Sequence, residues 1–145
     1  MRKGVPYMNN QTVIKKILDY IENHIDEDLP LDKIANELNY SKFYLERIFK
    51  EETDCTIYKY IQGQRLTSAA QKLVETEKPI IEIAYEAHYT SQQAFTFAFN
   101  NLYHCSPQAY RKMGVFYPKQ TKLSMISSFK EYSAIHSLWG GRSAA

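Results

Sequence analysis

The sequence predicts an all-α chain in which one short helical unit is used twice, with a longer helix between the copies. The first observation behind this is a repeat. Ser41, Leu45, Phe49, Cys55, Thr56 and Tyr60 recur as Ser91, Phe95, Phe99, Cys105, Ser106 and Tyr110, each 50 residues on. Just upstream, Ile34, Ala35, Leu38 and Tyr40 recur as Ile83, Ala84, Ala87 and Tyr89 at a separation of 49, so a one-residue slip falls at the turn between Tyr40 and Ser41. The second observation is an apolar spacing of three and four residues through most of the chain, the period of an amphipathic helix. The third is composition. With 44% hydrophobic and 23% charged residues in 145, the chain can bury a core the size of one domain or two small subdomains, and it is not disordered in composition. A duplicated unit built on a turn between two short helices points to a long, regular ligand, for which DNA is the obvious candidate.

Residues 1–10 read as a flexible arm. Val13, Ile14, Ile17, Leu18, Ile21 and Ile25 predict a helix over about 11–25. After Pro30, the residues Leu31, Ile34, Ala35 and Leu38 share one face of a short helix, which Asn39 ends by entering the left-handed region that a tight turn needs. Ser41 caps the next helix, whose inward residues are Leu45, Ile48 and Phe49. This helix–turn–helix, with a small Ala35 at the crossing, covers about 31–50. Thr56 is the expected cap of a linker helix over about 56–75, which at 1.5 Å per residue spans on the order of 30 Å. That is close to the roughly 34 Å turn of DNA, so the linker is long enough to set two units in successive major grooves. Pro79 is expected to open the first helix of the second unit, which runs over about 80–103. His88 takes the place of Asn39 there, and His tolerates positive φ less well, so this turn is expected to be strained or differently shaped. Ser106-Pro107 starts a closing helix through Arg111-Lys112. Leu123, Ile126, Phe129, Tyr132 and Ile135 could form a further amphipathic helix in an extension over 113–145.

Several function classes are disfavoured. The formal charge of +2 permits nucleic-acid binding without arguing for it. Cys55 and Cys105 occupy equivalent repeat positions with no CxxC or clustered His beside them, so they read as matched packing sites rather than a metal or redox pair. No metal and no cofactor is expected. His24, His88, His104 and His136 do not fall at ligand spacing, and neither a phosphate-cradling Gly loop nor a local Ser/His/Asp arrangement is present, so the chain does not read as an enzyme. No apolar run approaches the roughly 18 residues of a membrane span, and the amino-terminal residues lack a signal-peptide core, so a cytoplasmic protein without membrane contact is expected.

The strings Tyr40-Ser41-Lys42-Phe43-Tyr44-Leu45-Glu46-Arg47-Ile48-Phe49 and Ser91-Gln92-Gln93-Ala94-Phe95-Thr96, with Ile83-Ala84-Tyr85 and Ser106-Pro107-Gln108-Ala109-Tyr110-Arg111, resemble the AraC/XylS family of bacterial transcription regulators. The match covers about residues 11–112, and the strings look most like the MarA/SoxS/Rob branch. The resemblance implies a homeodomain-like, AraC-type DNA-binding domain of two helix-turn-helix subdomains. It further implies binding to asymmetric promoter DNA, often as a monomer, and recruitment of RNA polymerase. It also implies activation of stress or multidrug-resistance genes. Larger relatives carry an effector-sensing domain; 113–145 is too short for one, so control by abundance is expected.

The expected DNA-contacting set in the first unit is Ser41, Lys42, Phe43, Tyr44, Glu46, Arg47 and Lys50. Arg47 can present its fork to guanine O6 and N7, or else serve a phosphate or an ion pair with Glu46 or Glu51. Phe43, where the branch usually has Trp, can pack on thymine methyls or enter the core. Glu46, where Gln is usual, can accept from cytosine N4. Lys42 and Lys50 are expected on phosphates. The second unit offers Ser91, Gln92, Gln93, Thr96 and Phe97, and from Ser91 through Tyr103 it contains no Lys, Arg, Asp or Glu. Gln92 and Gln93 can read adenine, and Thr96 can meet a thymine methyl or a phosphate. A helix amino terminus can hold a phosphate near Ser91 and Gln92. Phe97 stands where the branch often has Arg and either faces DNA or packs under the carboxy-terminal extension. So neutral a second unit leaves open a repressor, or a protein-interaction module in which DNA binding has decayed.

Overall fold

The structure, a computed structural model, describes residues 9–119. Among these residues there are seven helices and no strand: α1 (Asn10–Asn23), α2 (Leu31–Leu38), α3 (Lys42–Thr53), α4 (Ile57–Glu75), α5 (Ile80–Glu86), α6 (Gln92–Tyr103) and α7 (Pro107–Met113). The chain divides into two compact units, which among the described residues are 9–58 and 59–119.

In the first unit α1 packs on α2 and α3, and these two pack on each other. The spacing of the apolar residues explains why: Val13, Ile14, Ile17, Leu18 and Ile21 line one face of α1 and are buried, as are Ile34 and Ala35 of α2 and Leu45, Ile48 and Phe49 of α3. The Asn9 side chain accepts from the Thr12 backbone N–H, so α1 begins at Asn10, inside what reads in the sequence as an arm. It ends at Asn23, which leaves Ile25 outside the helix. Residues 1–8 of that expected arm lie outside the described residues.

The second unit is built from α4 to α7. Its core joins Leu66, Ala69, Ala70 and Leu73 of α4 to Ile83, Ala84 and Ala87, to Phe95, Phe99 and Tyr103, and to Tyr110. The helix that reads in the sequence as a linker therefore contributes a full face to the core of the second unit. Pro79 is the residue before α5 rather than its first, in extended conformation. Three tertiary ties hold the ends. The Arg111 Nε donates to the Leu73 carbonyl at 2.9 Å and its Nη2 to the Thr76 carbonyl at 3.2 Å, closing the exit of α4 where helix carbonyls lack partners. Glu86 accepts from Lys72 and Lys78, each at 2.8 Å, and these two ammonium groups hold its carboxyl below the ordinary range.

The third tie lies beyond α7. The Tyr103 hydroxyl donates to the Tyr117 carbonyl at 2.9 Å, and the Tyr117 backbone N–H donates to the Tyr110 hydroxyl at 2.7 Å. Both polar backbone groups of one residue are thus held by tyrosines of the core, and Phe116 packs against the same cluster. The helix suggested by Leu123 to Ile135 lies outside the described residues.

Burial pushes the Tyr103 phenol up to about 12 from an ordinary value of 10.0. The folded chain keeps this proton while the unfolded chain begins to lose it, so its contribution is complete below pH 10 and is lost as pH rises through about 12. Below pH 10 the Tyr103→Phe variant is expected to be less stable than the parent by about 1 kcal/mol, the worth of one hydrogen bond. The gap between their urea midpoints should close between pH 10 and 12; a constant gap across that window would refute this.

The repeat extends to the backbone. Asn39, at φ 63°, and His88, at φ 70°, both adopt left-handed conformations between the two helices of their units. The bonds around them match: Tyr40 N–H donates to the Ala35 carbonyl at 3.0 Å, and Tyr89 N–H to the Ala84 carbonyl at 3.0 Å. This is the closure of a Schellman turn. The second turn therefore has the same shape as the first, contrary to one of the two sequence expectations. The matching bonds hold His88 in a conformation that costs on the order of 1 kcal/mol for such a residue. Asp54 and His104, which follow α3 and α6, are a second left-handed pair at φ 62° and 63°.

Candidate nucleic-acid interface

In each unit the last long helix of the motif starts at a serine. The Ser41 hydroxyl accepts from Tyr44 N–H at 3.1 Å and the Ser91 hydroxyl from Ala94 N–H at 3.0 Å. These caps fix where α3 and α6 begin, and hence which residues point away from the core. With Leu45, Ile48 and Phe49 inward, Phe43, Arg47 and Lys50 form an outward stripe at four- and three-residue spacing.

Phe43 is 78% exposed, so the alternative that places it in the core is overturned. The Arg47 guanidinium lies 5.5 Å from the Tyr44 ring centroid and 3.6 Å from Glu51, not against Glu46. Tyr44 is half-buried beside Tyr40, with ring centroids 5.3 Å apart, and acts as a shelf for the arginine rather than as a free side chain. Lys42 reaches across the turn to Asp32 of α2 at 3.1 Å, a partner the sequence spacing did not suggest, and sits 5.8 Å from the Phe43 ring. Lys50 is exposed and Glu46 half-buried. Lys42 and Arg47 are thus each offset by a nearby carboxylate. Such exposed pairs are worth about 0–1 kcal/mol, less than a bidentate arginine–guanine contact at about 1–3 kcal/mol, so DNA can displace them.

The outward face of α6 has a different chemistry. Phe95, Phe99 and Tyr103 point inward and are buried. Gln92, Gln93, Thr96, Phe97 and Asn100 line an open groove together with Ser106. Phe97 is 71% exposed, while Thr96 is half-buried. Asn100 was not among the expected contacts. It lies one turn beyond Thr96, and extending the spacing Gln93, Thr96, Asn100 would have found it. Ser106 could not be found that way, because it comes from the loop before α7. Cys55 and Cys105 form no disulfide and are both half-buried, as matched packing sites would be. No group of His, Cys, Asp and Glu able to hold a metal ion occurs among the described residues. Nor is any described helix long and apolar enough to cross a membrane.

A family described as a helix-turn-helix domain matches residues 34–113, more than half of the chain. The fold is similar to that of a solved transcriptional regulator from Chromobacterium violaceum, titled as containing an AraC-type DNA-binding domain. The TM-score is 0.69 at 28% identity, covering 72% of this chain and 94% of that one. The chain belongs to the AraC-type helix-turn-helix family. Within the family it is 44% identical over 101 residues to the TetD protein of transposon Tn10 from Escherichia coli, covering 70% of this chain and 73% of the relative. It is 39% identical over 104 residues to the regulatory protein SoxS of Salmonella typhimurium, covering 72% of this chain and 97% of SoxS. This AraC-type protein is accordingly a transcription regulator that binds double-stranded DNA, and not an enzyme. The all-α fold expected from the repeat and the family that the sequence strings resemble are the ones found.

Proposed function

We propose that this AraC-type regulator activates stress or multidrug-resistance genes by placing α3 and α6 in successive major grooves of promoter DNA. The observation that carries the reading is the repeat at the level of caps and turns. It gives two helices equivalent starts at Ser41 and Ser91 and turns the residues after them away from the core. The length of α4, 19 residues or on the order of 28 Å, is in keeping with the pitch of DNA. The likeness to SoxS supports the choice of activator and gene class. On this reading the protein acts as a monomer in the cytoplasm and contacts RNA polymerase. Arg47 is the main base reader, with Phe43 and Glu46 beside it. Lys42 and Lys50 hold phosphates, while Ser41 and Tyr44 position the helix. Gln92, Gln93, Thr96 and Phe97 read the second groove, with Ser91 at its edge.

Selection of bound sites from a random DNA pool, followed by titration of the selected duplex at several salt concentrations, tests the reading. One asymmetric site with two half-sites about one helical turn apart is expected. The slope of log K against log salt should lie near −2 from Lys42 and Lys50, steepening with each further cation engaged. No enriched sequence, together with salt-insensitive capture of a protein partner, would instead establish the interaction-module reading that the uncharged α6 favours.

A further inference from the structure

We propose that Phe97 is a specificity-determining residue that reads the 5-methyl groups of thymine, so that the half-site facing α6 is rich in A·T pairs. The inference rests on the insertion of α6 in a major groove proposed above, and adds what that helix recognises. Phe97 lies 50 residues after Arg47 and occupies the same outward register, so a large aromatic ring takes the place of the guanidinium. It is 71% exposed, on the same open face as Gln93, Thr96 and Asn100. Residue 94, one turn before it, is Ala, where the first unit has the Tyr44 shelf under Arg47.

The chemistry of the face selects one base pair. No residue from Ser91 through Tyr103 carries a formal charge, so this helix has no cationic fork for guanine O6 and N7 and no carboxylate for cytosine N4. Four amides are present, those of Gln92, Gln93, Asn100 and Asn101, and a glutamine or asparagine amide matches adenine N6 and N7. Exposed apolar surface is present in Phe97, and the apolar feature of an unmodified major groove is the thymine methyl. Adenine for Gln93 and a methyl for Phe97 are found together in A·T pairs alone. Without a side-chain cation on α6 to draw phosphate, removal of apolar surface from water becomes a large share of what this helix contributes.

Uracil interference on the selected duplex tests this. Thymines are partly replaced by deoxyuridine, and bound and free fractions are mapped for the parent and for Phe97→Ala. Loss of one buried methyl should weaken parent binding about fourfold. A group of thymines confined to one half-site is expected to be sensitive in the parent and insensitive in Phe97→Ala. Because Phe97 is exposed, the variant should fold, and its unchanged sensitivity at the other half-site checks that it has. Replacing a sensitive T·A pair by 5-methylcytosine·G retains the methyl and removes the adenine. It should lower parent binding and leave Gln93→Ala little affected. Identical uracil maps for parent and Phe97→Ala would overturn the assignment while leaving DNA reading by α3 intact. That result would leave Phe97 for a protein partner instead. Failure to enrich any site would remove the underlying reading and this inference with it.

Discussion

Replacing Arg47 with Ala is expected to lower discrimination between the selected site and unrelated DNA by roughly 5- to 150-fold, with little change in stability. The magnitude follows from a bidentate arginine–guanine contact of about 1–3 kcal/mol. The interactions Arg47 makes in the free protein, an ion pair with Glu51 at 3.6 Å and a place over the Tyr44 ring, are exposed and worth little by comparison. Arg47→Lys separates charge from shape. It keeps the salt dependence but lacks the planar fork, so discrimination should fall while the salt slope stays. Gln93→Ala should cost less than Arg47→Ala. The check is a gel-shift titration of all three variants against specific and competitor DNA, compared at one fixed salt concentration and repeated at several to read the slope. Equal losses at Arg47 and Gln93 would refute the order assigned to the two units.

The largest effect on stability is expected at Phe99. Its side chain is fully buried, stacked on Tyr103 at 4.7 Å between ring centroids, and meets Tyr110 edge-on at 5.5 Å and Phe95 at 5.7 Å. Phe99→Ala removes the ring around which these aromatic side chains are arranged and leaves a cavity, at an expected loss of about 3–5 kcal/mol. Against the 5–15 kcal/mol typical of a small domain, that is a large fraction. Urea unfolding measures the size of the loss. Amide hydrogen exchange locates it, and protection should fall first in α6 and α7. A loss below about 1 kcal/mol would show that the aromatic cluster closes over the gap.

The two residues behave oppositely because of where a single helical period puts them. Both follow from the repeat: Phe99 is the counterpart of Phe49 and Arg47 the counterpart of Phe97. Inward and outward faces were therefore legible before any coordinates, as were the caps Ser41, Ser91 and Ser106 and the left-handed Asn39. These are local matters, fixed by side chains within four residues of the backbone groups they serve. Much of the candidate interface was legible for the same reason, including the absence of charge on α6. Phe43 was ambiguous because an aromatic near a helix start fits either a core or a surface, and only packing against α1 and α2 decides which.

The sequence by itself determined the duplicated all-α scaffold, its turns and the side chains each reading helix turns outward, because helix period and capping act over a few residues. Tertiary structure alone decided what lies between distant elements. Lys42 meets Asp32 and Arg111 closes the end of α4. Tyr103 and Tyr110 hold Tyr117 by both of its backbone groups, and the helix expected as a linker gives its apolar face to the second core. Those pairings depend on how helices cross, and the crossing is set by the combined shape of several buried faces, which no single stretch of sequence encodes.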